Sequence, residues 1–150
     1  MSDDKQVANI DVTQLAVYLN KVKDIASINK MMGATYLRDF IEGQDIAGSL
    51  VARAIREDAR AKARLEQAEA MAYLDKATDW LKSRGIKESS EARKQYIDID
   101  EDVVAAKDKK AQTEALVFLM KSKQSVLRQA HDDLKKILYG DSHLTPYEGM

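Results

Sequence analysis

From Ala52 to Leu65 the chain reads A-R-A-I-R-E-D-A-R-A-K-A-R-L, rich in alanine and free of glycine and proline. Such a run strongly favours the α-helix, because alanine loses no side-chain entropy there and nothing interrupts the hydrogen-bond ladder. Flanking residues extend the pattern. Asp45 opens, and Gly85 closes, a helix predicted over 46–83, with Lys82 and Arg84 suited to its C-terminal dipole. At ~1.5 Å per residue it spans about 55 Å, more than one globular core covers. Its ends are apolar (Ile46, Leu50, Val51, Ile55, then Leu74, Trp80, Leu81), while its middle is alanine and charge. That distribution predicts a rod that leaves the core or is covered by neighbouring subunits.

The remaining chain reads as helices of ordinary length around this rod. Asp11 with Gln14 forms a capping box ahead of an amphipathic helix over 12–29, marked by Val12, Leu15, Leu19, Val22 and Ile25. A second helix is predicted over 30–42 (Met32, Tyr36, Leu37, Phe40), with Gly43 as its stop. After a linker from Ile86 to Ser90, Ser90 caps a short helix over 91–97. Asp98 with Glu101 then opens a long helix to about Leu138. Leu116, Met120, Leu127, Ala130, Leu134 and Ile137 form its apolar stripe, and Gly140 ends it. Residues 1–10 and 141–150, the latter with Pro146, read as flexible ends of one helical domain over 11–140. Tyr96 to Asp100 alternates like a strand but is too short. An apolar heptad is not sustained through 56–70, which weighs against a simple coiled coil. The expected fold is all-α: two long antiparallel helices with shorter N-terminal helices, in an oligomeric helical assembly.

Composition narrows function by exclusion. Lys+Arg 24 against Asp+Glu 25 leaves a net charge of -1, so affinity for a polyanion must come from a local or repeated patch. Without cysteine there is no disulfide, thiolate nucleophile or cysteine-bound metal. The start M-S-D-D-K-Q lacks an apolar signal region, and the longest apolar run, Ala115 to Met120, is far too short to span a membrane. A soluble cytoplasmic protein is expected. His131 has no second histidine at helical ligand spacing, and His143 lies in the tail. There is neither a phosphate-binding loop nor a nucleophile elbow. Asp98, Asp100 and Asp102 imitate half a calcium loop but lack its glycine, and Lys109 stands where the bidentate glutamate belongs. No enzyme activity, metal or cofactor is expected.

What remains is the basic helix. Arg53, Arg56, Arg60, Lys62 and Arg64 face only Glu57 and Asp58. At ~100° per residue the arginines fall within about 80° of one another, a ridge of guanidinium forks suited to phosphate. Solvated arginines on an exposed face are the bland alternative. Lys62 points about 160° away from Arg64. Downstream, Tyr73 and Trp80 share a face, either as base-stacking rings or as packing residues. Lys107, Lys109, Lys110, Lys121, Lys123 and Arg128 are interspersed with acids and read as a solvated face.

Lys62-Ala63-Arg64-Leu65 is similar to the basic K-A-R-L segment of the UvsY family, the recombination mediators of T-even-type phages. Tyr96-Ile97-Asp98-Ile99-Asp100-Glu101-Asp102-Val103 resembles that family's acidic helix start at a comparable distance downstream. The likeness covers roughly 50–138 in order and spacing. The N-terminal forty residues carry none, and continuous Glu66 to Lys82 stands where the family has a glycine-rich turn. The resemblance implies a non-enzymatic, ring-like homo-oligomer that binds single-stranded DNA and helps a RecA-type recombinase displace single-strand-binding protein, in the host cytoplasm if phage-encoded. It also implies Lys62 and Arg64 as the DNA-contacting pair. A helical oligomeric adaptor or inhibitor acting through protein contacts alone stays open beside it.

Overall fold

The computed structural model describes residues 11–140. The polar N-terminus, His143, Pro146 and the expected C-terminal tail lie outside the described residues. Within them every regular element is helical. Helix α1 (Thr13–Val22) leads through a 3₁₀ turn (Ile25–Ser27) into α2 (Lys30–Met71). A π turn (Ala72–Lys76), α3 (Ala77–Ser83), α4 (Ser90–Ile97) and α5 (Glu101–Tyr139) follow. The chain is all-α, with no helix long and apolar enough to cross a membrane among the described residues. It divides into two compact units, Met1–Arg53 with Phe118–Met150, and Ala54–Val117. We refer to them as the first and second units.

The predicted break at Gly43 does not occur: α2 runs unbroken from Lys30 through that residue. Asn29 caps it, accepting the Met32 N–H at 3.0 Å. A glycine reads alike as a helix stop and as a place where another element comes close, and here the second role decides. A Cβ on Gly43 would lie 2.9 Å from the Cβ of Tyr18 and 3.2 Å from a Leu127 methyl. The backbone stays helical, at a propensity cost of about 1 kcal/mol. Leu15, Phe40, Leu127 and Leu134 are fully buried in this first unit. Beside them the Lys21 ammonium pairs with Asp39 at 2.6 Å and lies over the Tyr18 and Tyr36 rings. The hydrogen bond to Asp39 outweighs desolvation and raises the Lys21 pKa.

The second unit is built from smaller residues. Ala54, Ala61, Ala72 and Ala77 are buried, with Leu81 of α3 and with Val103 and Thr113 on α5. Along α2, Ala54, Asp58, Ala61 and Leu65 step by four, three and four; on α5 Val103, Ala106, Lys110, Thr113 and Val117 step by three and four. Both are heptad registers, filled mostly by alanine and polar groups, with Leu65, Val103 and Val117 at their ends. That filling explains why an apolar heptad fades through 56–70. The Thr113 hydroxyl donates to Asp58 at 2.7 Å, and Lys110 donates to the same carboxylate at 3.0 Å. Burial alone pushes the Asp58 carboxyl up. The bonds from Thr113 and Lys110, with the Lys110 charge, more than reverse this and hold it below the usual carboxylate range.

Helix α1 stops at Val22 rather than at 29, the caps of α4 and α5 shift by one and two residues, and Gly85 stops α3 as predicted. Gly85 ends α3 in the left-handed conformation, φ 63°, with the Gly85 N–H on the Lys82 carbonyl and the Ile86 N–H on that of Leu81. These are the paired bonds of a Schellman turn. Ser89, not Ser90, caps α4 by accepting the Ala92 N–H at 3.1 Å. Asp100, not Asp98, caps α5 by accepting the Val103 N–H at 3.2 Å. Asp98 instead receives Lys107 at 3.2 Å. Asp11 accepts the Thr13 N–H at 2.9 Å, supporting the start of α1.

Candidate nucleic-acid interface

Arg53, Arg56, Arg60, Lys62 and Arg64 are all solvent-exposed on α2. Arg56, Arg60 and Arg64 belong to the second unit, whereas Arg53 is the last α2 residue of the first. Alanine keeps the helix regular here while adding no bulk that could cover the guanidinium groups. Arg60 donates to Glu57 at 2.9 Å, an i,i+3 pair with the Arg60 side chain 62% exposed. Exposed pairs of this kind contribute little and are readily exchanged for a phosphate contact. Arg53, Arg56 and Arg64 have no carboxylate within ion-pair distance among the described residues.

Lys62 sits elsewhere. Its charge acts on Asp58, the seam carboxylate, and helps hold that group ionised. The seam positions, buried Ala54 and Ala61 with half-buried Asp58 and Leu65, thus lie between Lys62 on one flank of the helix and the arginines on the other. Arg56, Arg60 and Arg64 form the coherent set; Lys62 faces away from it.

Two of the basic side chains on α5 are committed. Lys110 is held by Asp58 and lies 3.7 Å from Glu114, and Lys107 is held by Asp98. In the first unit Lys121 and Arg128 line a shallow polar cleft with Gln44, Gln124 and Ser125. Tyr73 and Trp80 both turn toward α4. The Tyr73 hydroxyl lies 3.4 Å from Ser90 Oγ, with the Arg93 guanidinium over its ring. Trp80 contacts Tyr96 at 5.3 Å between centroids.

The acidic residues that imitate a calcium loop are engaged with protein groups. Asp100 accepts from Tyr96 at 2.8 Å, from the Val103 backbone and from Lys76, while Asp102 also binds Lys76. Burial pushes the Asp100 carboxyl up, but these donors more than offset it and leave its pKa lowered. No grouping of three potential metal-ligating side chains occurs among the described residues. His131 lies 3.3 Å from its neighbour Asp132.

The chain matches no protein-family model, no curated protein and no solved structure.

Proposed function

We propose that this chain is a non-enzymatic single-stranded-DNA-binding protein that works as a homo-oligomer and helps a RecA-type recombinase displace single-strand-binding protein in the cytoplasm. The observation that carries the reading is the exposed Arg56/Arg60/Arg64 face, on a regular alanine helix, opposed among the described residues by one ion pair, Arg60 with Glu57. The resemblance of Lys62-Ala63-Arg64-Leu65 to the UvsY family supplies the recombination context. A ridge of a few phosphate contacts binds weakly and is salt-sensitive. Repetition around a closed oligomer raises the effective concentration of sites and makes a useful affinity from a near-neutral chain.

Two structural elements of the proposal have separate support. In the second unit Asp58 meets Lys110 while Lys76, further along the chain, meets Asp102, an order expected of antiparallel long helices. Exposed large apolar side chains on α5, led by Phe118 at 77% and including Val104 and Leu119, favour subunit contacts. The same residues favour the second reading, an adaptor that docks on another protein without binding nucleic acid.

Fluorescence anisotropy of labelled oligo(dT) across a salt series separates the readings. Mediator activity requires affinity that falls steeply with salt. Replacing Arg60 and Arg64 with alanine should reduce the log–log slope by about 1.4, at ~0.7 per phosphate contact on a single strand. No binding at low salt defeats the DNA reading and leaves the adaptor. Light scattering that returns the monomer mass at micromolar concentration defeats the oligomer.

A further inference from the structure

The turn between α3 and α4, within the second unit, joins an aromatic platform to exposed cations. Trp80 is half-buried and rests on Tyr96, the two rings tilted by 39°. The Arg84 guanidinium lies over the Trp80 ring, 4.9 Å from its centroid. Lys82, Arg84 and Lys87 are exposed, and none has a carboxylate within ion-pair distance among the described residues. The acids around them are mostly committed. Glu88 is held by Arg93 and by Thr78 at 2.8 Å, while Asp100 and Asp102 are held by Lys76. Asp79, Glu88, Glu101 and Asp102 remain exposed, and the Lys82 charge also acts on Glu88. The backbone of the turn is fixed by the Schellman bonds at Gly85 and the Ser89 cap.

We propose that this turn is a base-stacking site for single-stranded nucleic acid, separate from the arginine face and resting on the DNA-binding reading above. An exposed cation–π contact is weak enough to be exchanged. Arg84 swings from the indole to a phosphate, a base takes its place on Trp80, and Lys82 and Lys87 meet the flanking phosphates. Stacking of this kind accepts any base, because every base has a π-face. Tyr73 is not a second such platform, since the Arg93 over its ring is itself held by Glu88 and Thr78. The arginine face grips the backbone alone; the turn adds a contact that requires a base.

Trp80 is the chain's one tryptophan, so its emission reports on this site directly. The test titrates full-length protein with labelled dT₁₅ and with an abasic backbone of equal length, reading anisotropy and Trp80 emission together. Anisotropy should rise with both probes, whereas emission should be quenched by dT₁₅ alone. Trp80→Leu should weaken dT₁₅ binding about tenfold while leaving the abasic probe unchanged. Arg84→Ala, an exposed substitution that spares the packing on Tyr96, should keep the quenching but shift it to higher dT₁₅ concentration. Binding without quenching, or equal quenching by the abasic backbone, overturns the stacking site and leaves the DNA reading intact. Failure of both probes to bind overturns both.

Discussion

The two units bury one face of a long helix with side chains of different size, large ones from α1, α2 and α5 in the first and, Leu81 of α3 apart, small ones in the second. The first uses Phe40, Leu15, Leu127 and Leu134 and admits Gly43 where α1 and α5 crowd α2. The second brings Ala54 and Ala61 together with a polar node of Asp58, Lys110 and Thr113. Large residues supply most of their stability through apolar area removed from water. Small ones gain less area, but they permit close approach and leave the outer surface of the helix free for charge. The unit that holds Arg56, Arg60 and Arg64 is the one with the thinner core, so helix propensity has to carry more of its order.

If this contrast is right, truncation and enlargement should hurt different units. Leu127→Ala should cost about 2–5 kcal/mol, the usual range for a fully buried leucine, measured by urea denaturation. A loss below 1 kcal/mol would mean that the first unit is not held by its large residues. Ala61→Leu should cost about 1–3 kcal/mol by overpacking the narrow seam, and Gly43→Ala a similar amount despite the better helix propensity of alanine. A neutral Ala61→Leu would show that the seam is loose, and a stabilised Gly43→Ala that the contact with Tyr18 yields easily.

The polar node should give a smaller, pH-dependent effect. Asp58→Ala should cost about 1 kcal/mol at neutral pH. Because the Asp58 pKa is depressed, its contribution is complete above the unfolded value of about 3.9 and is lost as pH falls through the lower folded value. The Lys110 pKa is raised, first by its hydrogen bond to Asp58. Its share is therefore complete below about 10.4 and lost as pH rises through the higher folded value. Stability profiles of wild type and Asp58→Ala should accordingly converge in acid; a constant gap down to pH 2 would rule out the node as its source. Smallest of all, Arg56→Ala should leave stability within about 0.5 kcal/mol while weakening oligonucleotide binding. A large stability loss there would mark a structural arginine.

Helical content was legible because Ala52 to Leu65 offers the backbone no competitive alternative. The exposed arginine face was legible too, since nothing near it in sequence is large enough to cover it. Gly43 misled for a physical reason: the residues that crowd it, Tyr18 and Leu127, are distant in sequence. The heptad of the second unit was hidden because alanine, aspartate, lysine and threonine do not announce burial, and only Asp58 meeting Thr113 reveals it. Ser89 and Asp100 replaced neighbouring caps because adjacent serines or alternating aspartates offer several similar choices. The stacking of Arg84 on Trp80 was within reach, as residues four apart on a helix are neighbours.

The π turn over Ala72–Lys76 closes wider hydrogen-bonded loops than the helix on either side of it. It therefore accommodates one residue beyond what α geometry takes, without a loop. Deleting a single codon there, such as that for exposed Leu74, would let α2 and α3 fuse into one regular helix. Everything from Ala77 onward would keep nearly its present direction, because the wider turn already absorbs the extra residue. Trp80 would still point at Tyr96. The same deletion within the regular part of α2 would instead turn whatever follows by about 100° and draw it back by ~1.5 Å. The π turn is therefore where this rod can lose a residue and still present its tryptophan the same way.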